Sequence, residues 1–129
     1  MPQYARNVTA AASTVQITDL RLEPGQITRI EVIFPPGCAG LVEVDIRRGA
    51  ATLWPSNENE VFIADGYVIG WNEEYDLPEA TTMRLRVNNT DDTFSHTIGF
   101  LFTVRDARRV EEARGLLSFF AQLRRGLGL

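Results

Sequence analysis

Apolar and polar residues alternate from His96 to Val104, and this pattern limits the possible folds more than any other feature of the chain. A period of two places successive side chains on opposite faces of an extended strand. In the sequence HTIGFLFTV, one face would hold His96, Ile98, Phe100, Phe102 and Val104. The stretch therefore predicts a half-buried β-strand whose apolar face lies in the core.

Three further stretches show the same alternation. Their predicted inward residues are Ile30, Val32 and Phe34 in RIEVIF, Val42, Val44 and Ile46 in LVEVDIRR, and Met83, Leu85 and Val87 in TMRLRVNN. Shorter strand candidates are VQITDL, ATLW, EVFIA and GYVIGW. The prolines and glycines of PPGCAG interrupt the ladder between the first two stretches, which predicts a hairpin with a wide loop.

Many short strands with no helix between them favour an antiparallel architecture over a parallel sheet. The chain has 129 residues, of which 44% are hydrophobic, and this is enough for one domain with one core. We expect a mainly β protein: a single antiparallel β-sandwich, jelly-roll-like, over residues 1–104. Residues 1–14 are predicted to form an N-terminal arm of this domain.

The period changes to 3.6 after Val104, and residues 105–129 are predicted to form one C-terminal amphipathic α-helix. Its apolar arc spans roughly 200°, twice the roughly 100° that one supporting surface covers. The helix is therefore predicted to bind something besides its own sheet. The predicted interaction residues are Leu116, Leu117, Phe119, Phe120, Leu123, Arg124 and Arg125.

The charge of the chain is unevenly distributed. Residues 105–125 contain six arginines and three acids, a net charge of +3, while the whole chain carries −4, which leaves −7 on the remainder. The two parts are expected to face different surroundings.

The sequence contains few groups suited to catalysis. His96 is the single histidine, and Phe94 and Ile98 flank it on the predicted strand, which is typical of a packed edge histidine. Cys38 is the single cysteine, which rules out an intramolecular disulfide and a cysteine-based zinc site. No metalloprotease, P-loop or dinucleotide-binding motif is present. We expect no enzyme activity, no catalytic residues and no cofactor.

Acidic residues occur in two stretches that read as loops, WNEEYD and NNTDDT. They supply Glu73, Glu74, Asp76, Asp91 and Asp92, whose oxygens are the ligands that calcium prefers. Neither stretch has the EF-hand spacing or its glycine, so solvated turn residues are the favoured interpretation and no metal is predicted.

Four aromatic residues, Trp54, Tyr67, Trp71 and Tyr75, cluster near predicted loops. Exposed rings of this kind can stack on sugars, which makes a carbohydrate- or ligand-binding module the alternative function. The tryptophans each end an apolar stretch, so packing at the rim of the core is the favoured interpretation.

The arginines of the tail are interrupted by acids and the pI is about 5.0, so we predict no specific nucleic-acid partner. No stretch is long and apolar enough to span a membrane, and the N-terminal residues lack the apolar segment of a secretory signal. Synthesis in a cytoplasm is expected.

The stretches LEPGQITRIEVIFPPGCAGLVEVDIRRG and NNTDDTFSHTIGFLFTV resemble the small β-sandwich virion proteins of tailed bacteriophages. The resemblance covers residues 15–104 in style and includes no diagnostic motif. Proteins of that class decorate capsids or join head and tail parts. The resemblance implies a non-enzymatic, homo-oligomeric component of a virus particle, made in the host cytoplasm and located in the virion. Its expected partners are copies of itself and a neighbouring shell protein.

Deletion of residues 108–129 is predicted to leave a folded β-domain that no longer oligomerises or attaches to its particle. Phe120→Asp should have nearly the same effect, because a charge on the apolar arc prevents its burial. Light scattering of the purified variants measures the outcome. Normal assembly of both variants would mean that the tail only covers its own domain.

Overall fold

A computed structural model describes residues 2–57 and 60–106 of the chain, and within them eight β-strands and no helix. The strands are β1 (Gln3–Ala10), β2 (Thr14–Leu22), β3 (Gly25–Phe34), β4 (Val42–Arg48), β5 (Ala51–Trp54), β6 (Tyr67–Leu77), β7 (Thr81–Asn89) and β8 (His96–Asp106).

The strands form two four-stranded sheets in which every pairing is antiparallel. The first sheet has the order β1-β8-β3-β6, and the second has the order β2-β7-β4-β5. Pairing is nested along the chain: β1 with β8, β2 with β7, β3 with β6 and β4 with β5. Consecutive strands therefore lie in different sheets, except β4 and β5, which pair with each other.

One apolar core contains residues from both sheets, which gives the protein its sandwich-like arrangement. The predicted inward residues of four strands are confirmed. From Ile98 to Val104 every second residue of β8 is at most 1% exposed, and the inward residues of β3, β4 and β7 are equally buried. His96 lies on the same face of β8 and is partly buried. Burial of this alternating set is the main source of stability.

The N-terminal residues differ from the sequence-based prediction of an arm over residues 1–14. Gln3–Ala10 form β1, which pairs with β8 from Gln3↔Thr103 to Ala10↔His96. Only Val8 and Ala10 of this strand are buried, so its apolar signal is too short for sequence periodicity to detect. The last strand also extends two residues beyond the predicted domain boundary at 104, to Asp106.

The predicted β3–β4 hairpin is wrong. β3 belongs to the first sheet and β4 to the second, so the PPGCAG segment crosses between sheets. Gly37 and Gly40 have φ values of 107° and 75°, which glycine adopts without strain. Periodicity shows which face of a strand is buried but does not identify the strand beside it, and this explains the error.

The crossing segment has a buried thiol at its centre and is held by two hydrogen bonds. Cys38 is 0% exposed, and burial, with the nearby charge of Asp65 as a smaller cause, raises the pKa of the thiol. The backbone amide of Gly37 donates to Asp65 Oδ1 at 2.8 Å, and the amide of Gly66 donates to the Pro35 carbonyl at 3.3 Å. These contacts tie the β3–β4 segment to the turn before β6.

The EVFIA stretch is a strand candidate that forms only an isolated bridge. Phe62 exchanges backbone hydrogen bonds with Val44 of β4, at 3.0 and 2.8 Å. The bridge lies on the same side of β4 as β5, because β7 occupies the other side. Phe62 is thereby fixed at the edge of the second sheet.

The predicted C-terminal helix lies outside the described residues. Within residues 2–57 and 60–106, no helix has the length and hydrophobicity needed to span a membrane.

Phe100→Ala should reduce the free energy of unfolding by about 3–5 kcal/mol, the usual cost of truncating an enclosed phenylalanine. Phe100 is 1% exposed, whereas Phe94 is 66% exposed. Phe94→Ala is the matched control and should change stability by no more than about 0.5 kcal/mol. Urea unfolding measures both, and a loss below about 1 kcal/mol for Phe100→Ala would contradict the face assignment of β8.

Candidate functional site: an aromatic cleft beside Glu73

The two sheets end unequally on the side where β5 faces β6. β6 has 11 residues and β5 has four, so β5 covers only part of β6. The inward residues of β6 alternate along the strand, and they are Ile69, Trp71, Glu73, Tyr75 and Leu77. Of these only Leu77 is fully buried, which leaves a partly covered row of aromatic and acidic side chains.

Side chains rather than a strand fill this side of the molecule. Trp54 comes from the end of β5, and Phe62 comes from the bridge to β4. A cleft with a volume of about 230 Å³ opens to solvent between them and β6. It is lined by Trp54, Pro55, Ser56, Phe62, Trp71 and Glu73.

Glu73 is the polar centre of the cleft. Its Oε1 accepts a hydrogen bond of 2.9 Å from Trp54 Nε1 and one of 2.8 Å from Trp71 Nε1. Trp71 and Glu73 lie two residues apart on β6 and so share its inward face, while Trp54 reaches Oε1 from the opposite sheet. An indole N–H can only donate, and Glu73 supplies the acceptor that the buried Trp54 and the half-buried Trp71 both need.

The rings meet at angles instead of forming one flat surface. The Trp54 and Trp71 centroids are 6.3 Å apart at an interplanar angle of 56°, and those of Phe62 and Trp71 are 5.1 Å apart at 34°. Trp54 also meets Tyr75 edge-on at 5.3 Å. The Tyr75 hydroxyl lies 3.0 Å from Arg48 Nη1, which donates to it. The rings therefore bound a corner in which the carboxylate is fixed.

The structure brings together three of the four aromatic residues singled out in the sequence. Trp54, Trp71 and Tyr75 meet here, while Tyr67 lies at the start of β6, opposite Phe34 of β3, and is 64% exposed. Trp54 is 5% exposed and packs at the rim of the core, as the sequence favoured. Trp71 does not end its strand as expected but lies in its middle. Phe62 was not predicted as a site residue, because the sequence showed it only as part of the strand candidate EVFIA.

The interpretation of WNEEYD as a turn is wrong, because all six residues belong to β6. Glu73 faces the cleft, whereas Glu74 and Asp76 occupy the exposed face of this edge strand, where solvated carboxylates cost little. The pattern WNEEYD does alternate, but its inward residues include an acid, and this obscured the strand.

The second acidic stretch forms an ordered loop after β7. Asp91 Oδ1 accepts from the backbone amides of Thr93 and Phe94 at 2.9 and 3.3 Å, and Oδ2 lies 2.8 Å from His96 Nε2. The imidazole donates in this pair, because an ionised carboxylate can only accept. The pKa of Asp91 is lowered below its ordinary value. The hydrogen bond from His96 is the largest cause, and the hydrogen bond from the Thr93 amide is the next.

Asn89 connects this loop to the N-terminal strand. Its Nδ2 donates to the carbonyls of Ala10 and Phe94 at 3.1 and 2.9 Å, and its Oδ1 accepts from the amide of Asp91 at 3.0 Å. Asp91, at 7% exposed, thus fixes the loop geometry and is not the solvated turn residue that the sequence favoured, whereas Asp92 is exposed. In residues 2–57 and 60–106, no group of three or more histidine, cysteine, aspartate or glutamate side chains could hold a metal ion.

The interaction residues predicted in the tail, Leu116, Leu117, Phe119, Phe120, Leu123, Arg124 and Arg125, lie outside the described residues. Their role stays a prediction.

No protein-family model matches the sequence, and no curated protein matches it. Among solved structures, the Yersinia pseudotuberculosis-derived mitogen is similar with a TM-score of 0.50 and 6% identity, over 81% of this chain and 87% of that one. The periplasmic inhibitor of g-type lysozyme from Aeromonas hydrophila has a TM-score of 0.45 and 11% identity, over 80% and 86%. At these identities the likeness concerns the fold alone. The strand arrangement itself defines the class: a mainly β protein with two antiparallel sheets.

Asp91 is expected to make stability depend on pH. Its pKa is lowered in the folded state relative to about 3.9 in an unfolded chain, so the ionised carboxylate stabilises the fold above pH ~4. This contribution disappears as the pH falls through the lower folded value. The difference in unfolding free energy between the protein and Asp91→Asn should therefore be larger at pH 5 than at pH 3, as measured by urea unfolding.

His96→Gln tests the cause. Removing the imidazole should bring the pKa of Asp91, followed by NMR titration of its carboxyl carbon, back towards the ordinary value. A pKa of Asp91 that does not change would show that the backbone amides alone lower it.

Proposed function

We propose that this protein is a non-enzymatic structural or accessory component of a phage particle, which works through contacts with copies of itself and with a neighbouring shell protein. The nested strand pairing supports this, because it is the scheme of an eight-stranded jelly roll. That architecture occurs in viral capsid and lectin domains. A fold alone does not define a function, so the contacts must be argued from particular surfaces.

The exposed edge of β2 is the observation that carries the proposal. β2 is the first strand of the second sheet, and its nine residues pair with β7 on one side in an unbroken register from Thr14↔Asn89 to Leu22↔Thr81. Val15 and Ile17 are 49% and 50% exposed on its outer face. A long, regular edge with exposed β-branched side chains is a template for another strand.

The other described edges are less suited to strand addition. β5 has four residues. The pairing of β6 with β3 is shifted between Ile27 and Arg29, and its outward residues include Glu74 and Asp76. Short length, register irregularity and charge are features that protect an edge from pairing.

β1 is the remaining edge, and it resembles β2 in regularity but not in its exposed side chains. Its register with β8 is continuous, and its exposed residues include Gln3, Arg6, Asn7 and Thr9. The absence of large apolar residues among these makes β1 a weaker site for association than β2.

Strand addition at β2 would combine backbone hydrogen bonds with apolar burial. Within residues 2–57 and 60–106 no strand pairs with this edge, so N–H and C=O groups that point away from β7 can pair with a second strand. Val15 and Ile17 supply surface that water leaves on contact. Arg86 of β7 lies opposite Ile17 and bonds at 3.0 Å to Asp45, which is 2% exposed. On β2 itself, Asp19 and Arg21 lie exposed on the same outer face, and they pair with Arg84 and Glu23 at 3.7 and 3.2 Å. The charges beside Val15 and Ile17 therefore have partners of opposite sign within the chain.

The C-terminal segment is the second proposed contact, as the sequence predicts. Its charge of +3 is complementary to the −7 carried by the rest of the chain, which favours contact between the tail of one copy and the β-domain of another. In this proposal no covalent bond is made or broken, and assembly is the function.

A ligand-binding module is the second candidate. The cleft of Trp54, Phe62, Trp71 and Glu73 favours it, because it joins apolar rings with one fixed polar group. A sugar is the ligand that the aromatic residues of the sequence suggested.

Ile17→Asp is expected to reduce self-association, since it places a charge at the centre of the proposed contact. Ile33→Asp is the matched control: Ile33 is 40% exposed on the inner strand β3, where β6 and β8 occupy both sides. Sedimentation velocity should show a shift towards monomer, of at least tenfold in dissociation constant, for Ile17→Asp alone. Equal effects of the two variants, with both folded by circular dichroism, would locate the contact elsewhere.

A further inference from the structure

We propose that the cleft of Trp54, Phe62 and Trp71 binds an organic cation, an ammonium or guanidinium group, with Glu73 as its counter-charge. The inference goes beyond the assembly function and does not depend on it. It rests on the arrangement of the rings, on the charge of the cleft and on the hydrogen-bonding groups that the cleft offers.

The rings supply the first argument. The face of an aromatic ring carries partial negative charge, and cages of several rings recognise ammonium groups. Three rings from three chain segments line the cleft, and their planes are tilted by 56° for Trp54 with Trp71 and by 34° for Phe62 with Trp71. Tilted rings can face one compact ion from several directions. A sugar stacks on the face of a single ring, so a tilted set of rings offers it no advantage over one ring.

The charge of the cleft supplies the second argument. Both hydrogen bonds that Glu73 accepts from the described residues come from neutral indoles and reach Oε1, so no cation of residues 2–57 and 60–106 is bonded to its carboxylate. No arginine is among the lining residues Trp54, Pro55, Ser56, Phe62, Trp71 and Glu73. The chain outside residues 105–125 carries −7, which adds a long-range attraction for cations.

The hydrogen-bonding groups supply the third argument. Binding a neutral sugar requires donors as well as acceptors, yet both indole N–H groups of the cleft already donate to Glu73. Ser56 is the remaining hydroxyl in the lining. A quaternary ammonium ion needs no donor, only negative charge and ring faces. A cation therefore suits what the cleft still offers, which is the carboxylate of Glu73 and the ring faces.

The geometry of Glu73 favours ammonium over guanidinium. A guanidinium group binds a carboxylate best through two parallel hydrogen bonds, one to each oxygen. Because Oε1 already accepts two hydrogen bonds, a guanidinium group bound to both oxygens would have to compete with the indoles for Oε1. A compact ammonium ion needs only proximity to the charge.

NMR titration of the two indole N–H signals tests the proposal with choline, with methylguanidinium and with 3,3-dimethylbutan-1-ol, the neutral isostere of choline. Methyl β-D-glucoside is titrated in parallel, and sodium chloride keeps the ionic strength constant. Choline should shift both signals in a saturable way and bind at least tenfold more tightly than the neutral isostere. Methylguanidinium should bind more weakly than choline.

The variants separate the charge of Glu73 from that of its neighbours. Glu73→Gln should weaken choline binding at least tenfold, whereas Glu74→Gln, one residue along β6 on the exposed face, should leave it unchanged. If Glu73→Gln fails to fold, the comparison of choline with its isostere in the unaltered protein decides the question. Equal binding of the isostere, shifts with the glucoside alone, or no saturable shift at all would overturn the proposal.

Discussion

The structure depends on burial of alternate residues from two antiparallel sheets in one apolar layer. Phe100 and Phe102 of β8 lie at the centre of this layer, with neighbours from β3, and both are at most 1% exposed. A shift of one residue in register would move the whole inward set of a strand into water, so the layer fixes the pairing. The strands at its margins are less constrained. There β5 leaves β6 partly uncovered, which forms the cleft, and one side of β2 has no partner strand among the described residues.

The sequence predicts the interior of the fold better than its connections. The inward faces of β3, β4, β7 and β8 follow from their apolar alternation, because burial acts directly on each residue. Which strands lie side by side depends on contacts between distant segments, and the assumed β3–β4 hairpin failed for that reason. β1 was missed because its inward residues, Val8 and Ala10, are too few to produce a pattern.

The candidate site was predictable only in part. Trp54, Trp71 and Tyr75 stood out as aromatic residues, and their meeting in one cluster agrees with that grouping. The position of Glu73 between two indoles could not be inferred, since it requires β5 and β6 to face each other from different sheets. An acid on an inward face also breaks the apolar alternation by which strands are recognised. Its partner Trp71, two residues earlier on the same strand, was the available signal.

Amide hydrogen exchange of the protein at low and high concentration tests the central claim, that copies associate through the edge of β2, most directly. Strand addition protects the N–H groups that point away from β7, so protection within Thr14–Leu22 should rise with concentration at alternate residues. The central strands β3 and β8 should show no comparable change. Concentration-dependent protection at β1 or β6, with β2 unchanged, would contradict the account.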